Sequence, residues 1–82
     1  MIQLKLYTTV GCHLCELAYQ QLQQLNSQQF SIQSIEIALD DALVERYGTT
    51  IPVIEFPDHA LLTWPFEFHD IETKLKLNNI KT

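Results

Sequence analysis

With 82 residues the chain has room for one domain, and a fold of that size buries only about 60% of its unfolded surface, leaving no place for a second. Hydrophobic residues at 46% against charged residues at 18% describe globular composition without a low-complexity segment or repeat, so a disordered or fibrous chain is excluded. Five basic residues, Lys5, Arg46, Lys74, Lys76 and Lys81, stand against ten acidic ones for a net charge of −5, which leaves no basic stripe for nucleic acid.

Ile2, Leu4 and Leu6 alternate with Gln3, Lys5 and Tyr7, the period of a first strand with one apolar face. Met1 runs directly into this pattern, with no basic start, apolar core and cleavage site of a signal peptide, and no stretch is apolar enough to span a bilayer. A cytoplasmic protein with no membrane partner is expected.

After Thr8-Thr9-Val10-Gly11 a helix is expected from about Cys12 to Asn26, with Leu14, Ala18, Leu22 and Leu25 forming an apolar stripe toward the sheet and Leu17 on its flank. Cys12-His13-Leu14-Cys15 opens it. Residues at i and i+3 share a helix face, and a disulfide needs Cα atoms about 4.4 to 6.8 Å apart, so this pair can open and close with little backbone movement. The bridged loop is too short to stabilise the fold much, so the pair is read as reactive.

The first turn of a helix carries unpaired amides and partial positive charge, which lowers a thiol pKa into a range of about 3.5 to 7.5. Counting from Leu14, Cys15 lies 100° round the helix and Cys12 160°, further from the apolar stripe. Cys12 is therefore assigned as nucleophile and Cys15 as resolving thiol, with Gly11 keeping the approach to Cys12 uncrowded. His13 has two readings, a charged imidazole that favours the Cys12 thiolate or a solvated side chain. Glu16, at i+4 from Cys12, opposes the thiolate by only a few tenths of a kcal/mol. Structural zinc normally takes four ligands as two separated pairs, and the second pair is missing here, so no metal site is assigned.

Ser31 to Leu39 reads as a second strand, parallel to the first, with Ile35, Ile37 and Leu39 in alternation. Asp40 or Asp41 is placed to cap a short helix over Ala42 to Tyr47, and Gly48 to end it in the left-handed conformation. Val53 to Phe56 and Ala60 to Thr63 flank Pro57-Asp58-His59 as a hairpin. Pro65 suits the first turn of a last helix, where Phe68, Ile71 and Leu75 follow i, i+3, i+7 spacing. His59 and His69 fall in the turn and on that helix and are expected in solvent.

The order βαβ, short helix, ββα, with C-x-x-C opening the first helix and Thr50-Ile51-Pro52 opening the third strand, resembles the thioredoxin fold at its minimal, glutaredoxin-like size. More narrowly, Gly11 to Cys15, Glu45-Arg46-Tyr47-Gly48 followed by Ile51-Pro52-Val53, and Trp64-Pro65-Phe66-Glu67 are similar to a family of small bacterial glutaredoxin-like proteins. The resemblance implies an α/β three-layer fold, a four-stranded mixed sheet with helices on both faces. It also implies a cis Ile51–Pro52 bond beside the cysteines, with the Ile51 backbone free to bind an extended substrate, and an intersubunit iron–sulfur cluster is a further property of such folds that nothing local supports.

Three departures touch glutathione binding: His13-Leu14 replaces the usual Pro-Tyr, Thr9 replaces a lysine, and Trp64-Pro65 replaces Gly-Gly. Trp64 is then read either as an aromatic contact surface for a protein disulfide or as a side chain packed on the sheet edge. The expected function is thiol–disulfide exchange through Cys12 and Cys15, with Gly11, His13, Ile51, Pro52 and Trp64 flanking substrate and no bound organic cofactor. Its expected partners are protein or small-molecule disulfides and, to reduce the protein again, glutathione or a thioredoxin-type reductase. Two alternatives stay open, a glutathione-dependent monothiol mechanism on Cys12 and a non-enzymatic binding module on the same fold.

Overall fold

The computed structural model describes residues 2–25 and 30–79, in the order β1 (Ile2–Thr8), α1 (His13–Gln23), β2 (Phe30–Glu36), a 3-10 turn (Ile37–Leu39), α2 (Asp41–Tyr47), β3 (Val53–Glu55), β4 (Leu61–Thr63) and α3 (Phe68–Asn79). The four strands form one sheet in the order β2-β1-β3-β4. β1 pairs parallel with β2, placing Leu4 opposite Ile32 and Thr8 opposite Glu36. Its other edge pairs antiparallel with β3, which in turn pairs antiparallel with β4. Among the described residues no helix is long and apolar enough to cross a membrane.

Strand alternation divides the apolar residues between two layers. Leu4, Leu6, Phe30 and Ile54 pack with Ala18 and Leu22 of α1 and Ile71 and Leu75 of α3, while Tyr7 and Val53 pack with Ile37 and Tyr47 of α2. Helices thus cover both faces, as the resemblance implied, and both core clusters draw on β1 and β3.

Several local expectations change. α1 ends at Gln23, and the expected end at Asn26 lies outside the described residues. Its buried stripe is Cys15, Ala18 and Leu22, whereas Leu14 is 43% exposed. The two stripes differ by one residue at the N-terminal end, and a cysteine, among the most buried residue types, displaces the leucine. β2 begins one residue early on the buried Phe30, and it stops at Glu36 because that side chain accepts from the Ala38 amide and winds the chain into the 3-10 turn. Leu39, expected inside, is 87% exposed.

Asp40 caps α2 by accepting from the Ala42 amide, so the helix starts at Asp41. Gly48 ends it at φ −53°, ψ −32°, not in the left-handed region. Glycine is needed there for space, since a Cβ would collide with the Val44 carbonyl oxygen. The hairpin strands are each one residue shorter than expected: β3 stops at Glu55 and β4 starts at Leu61, and His59 in the loop between them takes the positive φ of 68°. Pro65 lies outside α3, in a cis Trp64–Pro65 bond ahead of it. The helix starts at Phe68, where the Asp70 carboxylate accepts from the Glu67 amide in a capping-box arrangement. Phe68, expected on the apolar face, is 39% exposed, and Phe66 ahead of the helix occupies the core.

Candidate functional site

β1 ends at Thr8, and the chain then turns sharply. The Cys12 amide donates to the Thr9 carbonyl at 3.3 Å, closing a four-residue turn whose third position is Gly11 at φ +82°. A side chain at that φ would be strained, so glycine is fixed by backbone conformation. A Cβ there would meet nothing within 4 Å, and the approach to Cys12 is open for reasons other than the missing side chain.

The turn delivers Cys12 to the N-cap of α1 with extended backbone, φ −85° and ψ 103°. Its Sγ accepts a hydrogen bond from the Cys15 amide at 3.2 Å, the bond an N-cap side chain makes to a first-turn N–H. Cys12 and Cys15 are joined as a disulfide with Cα atoms 5.2 Å apart. Cys12 is partly exposed and Cys15 is 3% exposed, so Cys12 is the more accessible of the pair to a reactant in solvent. Cys12 thus lies further from the buried stripe than Cys15, the order counted on the helical wheel, although Leu14 is not the inward reference.

A residue the sequence reading passed over holds this turn. The Glu36 carboxylate accepts from the Val10 amide at 2.9 Å through one oxygen and from the Ala38 amide at 3.0 Å through the other, and Thr9 adds a side-chain hydrogen bond. These bonds, Ala38 first, hold its pKa below the ordinary carboxylate range. The only signal in the sequence is indirect: parallel pairing puts the end of β2 beside the end of β1. A carboxyl with a depressed folded pKa contributes stability that is present above its unfolded pKa of about 4.3 and is lost as pH falls through the folded value. Glu36→Gln should therefore lower the urea midpoint at pH 7, and the gap to the parent protein should close on acidification. Faster hydrogen exchange at the Val10 amide is expected alongside.

An open cleft of about 750 Å³ runs from the disulfide along one side of α1. Cys12, Glu16, Gln20 and Gln23 form its helical wall, and Thr8, Thr9, Gly11 and Ser34 line the strand side. His13, Ile51, Pro52 and Trp64 do not line it. The His13 side chain lies in solvent with Nδ1 3.7 Å from a Glu16 carboxylate oxygen. Ile51–Pro52 is cis, and Ile51 packs on the Tyr7–Tyr47 cluster. The Ile51 amide is engaged by the Tyr47 carbonyl at 3.1 Å, so of the Ile51 backbone expected to be free for substrate the donor is already taken. Trp64 donates its amide to the Pro52 carbonyl at 3.3 Å and packs edge-on against Phe66 at 5.2 Å, partly buried on the main core. The structure thus joins Trp64 to Pro52, and Gly11 to the cysteines.

Three other polar groups, Tyr7, Glu55 and His59, are accounted for by structure. Burial, and then its hydrogen bond of 2.5 Å to Glu55, push the Tyr7 hydroxyl pKa well up, and the same bond leads the causes that lower Glu55. A hydroxyl so firmly protonated is a donor and not a nucleophile. His59, expected in solvent, lies exposed but with Nδ1 3.1 Å from the other Glu55 oxygen. Among the described residues no three His, Cys, Asp or Glu side chains converge as a metal site.

A family profile described as Glutaredoxin-like domain (DUF836) matches residues 3–76. The crystal structure of the structural-genomics target protein XcR50 from X. campestris superimposes with a TM-score of 0.79 at 34% identity, covering 90% of this chain and 96% of that one. The solution structure of the same target gives 0.78 at 34% identity, covering 94% and 95%. No curated protein matches the chain.

Proposed function

The chain belongs to the glutaredoxin-like domain family, and from that premise we propose that it is a thiol–disulfide oxidoreductase working by dithiol exchange. The observation that carries the proposal is the Cys12 sulfur acting as the N-cap acceptor of α1, 3.2 Å from the Cys15 amide, with Cys15 enclosed behind it. An acceptor in that position is better satisfied as a thiolate, which takes the amide hydrogen bond and faces the positive end of the helix.

In the reduced protein the Cys12 thiolate attacks one sulfur of a substrate disulfide. A Cys12–substrate bond forms, the substrate's own S–S bond breaks, and the leaving thiolate takes up a proton. Cys15 then gives up its proton and attacks the Cys12 sulfur, releasing the second substrate thiol and forming the internal disulfide. Two electrons pass from protein to substrate. A second dithiol, or two molecules of a monothiol such as glutathione, must reduce the bridge again.

The test uses Cys15→Ser. Its remaining thiol should be alkylated by iodoacetamide with a pH midpoint inside the range of about 3.5 to 7.5, and the protein should accumulate mixed disulfides with its substrates. A midpoint near 8.5 with no adducts would overturn the proposal in favour of a binding module. Sustained turnover with glutathione by Cys15→Ser would replace the dithiol route with a monothiol one.

A further inference from the structure

The cleft beside the disulfide is built for a particular kind of chain. From Cys12 to Gln23 the helix advances about 16 Å at 1.5 Å per residue, enough to lie alongside about five residues of extended polypeptide at 3.3 Å each. Its polar lining is mostly neutral: Thr8, Thr9, Gln20, Gln23 and Ser34 offer hydroxyls and carboxamides suited to peptide groups. The charges, however, are of one sign. Glu16 lines the cleft, Glu36 binds the Thr9–Val10 segment of its rim, and no described lysine or arginine lines it. Lys5 borders a separate hollow with Glu55, and Arg46 lies over the Tyr47 ring, 5.4 Å from its centre.

We infer that this cleft is the substrate subsite of the exchange reaction and that it takes an extended polypeptide segment carrying basic or neutral residues beside its disulfide. The inference rests on the proposed oxidoreductase function. It disfavours anionic disulfides, glutathione disulfide among them, because Glu16 repels their carboxylates and no described cation lines the cleft to offset it. The substrate's reacting sulfur sits at the Cys12 end, and its flanking residues run along α1 toward Gln23.

The test follows the first exchange step in the Cys15→Ser protein at pH 8. The probes are two pentapeptides with a central cysteine activated as its 2-pyridyl disulfide, one flanked by lysines and one by glutamates, and the small neutral 2-hydroxyethyl 2-pyridyl disulfide. In each case the Cys12 thiolate bonds to the probe's aliphatic sulfur and 2-thiopyridone leaves. At low salt the lysine peptide should react about tenfold faster than the glutamate peptide, an advantage that shrinks at high salt. Glu16→Lys should erase most of that preference, whereas Glu45→Lys on α2, with the same change in net charge, should leave most of it. Ser34→Trp, which fills the cleft, should slow both peptides severalfold and spare the small probe. Equal rates for the two peptides, equal effects of the two lysine variants, or peptides indifferent to Ser34→Trp would each overturn the subsite. Should the small probe react no faster than a free thiol, the oxidoreductase reading itself fails, and the subsite with it.

Discussion

Cys12→Ser is expected to reduce disulfide exchange to the uncatalysed background, a loss on the order of a thousandfold or more, because a hydroxyl cannot serve as the thiolate that opens the substrate bond. The fold should survive the change: serine is a favoured N-cap residue, and its hydroxyl can still accept from the Cys15 amide that now binds sulfur. Exchange kinetics with a peptide disulfide and a urea titration of the reduced protein separate the two effects. Cys15→Ser should behave differently, retaining the first step and stalling before the second. Residual turnover in Cys12→Ser comparable to the parent would mean that Cys15 attacks directly. That outcome conflicts with its 3% exposure.

The second large effect concerns stability. Leu22→Ala should destabilise the fold by about 2 to 5 kcal/mol, since Leu22 is fully buried in the cluster that joins α1 to Leu4, Leu6 and Ile54 of the sheet. For 82 residues the whole stability is expected to be about 4 to 12 kcal/mol, so the substitution removes a large fraction of it. Leu14→Ala on the same helix should cost much less, because that side chain is already 43% exposed. Urea midpoints of the two variants measure the rotation of α1 about its own axis. Similar losses would restore the stripe through Leu14 expected from hydrophobicity alone and leave Cys15 turned outward.

That contrast shows where the sequence was readable. The alternation of Ile2, Leu4 and Leu6, the apolar spacing of Ala18 and Leu22, and the aspartate cap before α2 each report a local preference within a few residues, and all three elements are present. Expectations failed where two neighbouring residues competed for one place. Leu14 lost to Cys15, Phe68 to Phe66, and the strand through Leu39 to a 3-10 turn capped by Glu36. Leu14 and Cys15 both fit the helical spacing to Ala18 and Leu22, whereas Phe66 reaches the core from ahead of α3, so packing against the sheet decides what the local period leaves open. Gly48 was read for its φ freedom and is required for a close approach to a carbonyl, a distinction no one-dimensional pattern contains.

The sequence by itself determined the order of elements and the placing of a C-x-x-C pair at a strand-to-helix junction, because periodicity, caps and turn residues act over one or two turns of chain. Tertiary structure decided which sulfur faces solvent, which carboxylate pins the Thr9–Val10 turn, and that the cleft beside the disulfide lacks a described cation. Val10 and Glu36 are 26 residues apart, and Ile51 and Pro52 end up beside Tyr47 and Trp64 but outside the cleft. Such groups meet only when β1 and β2 pair in parallel register and the helices close on the two faces, so their relation is a property of the assembled sheet and of no single segment.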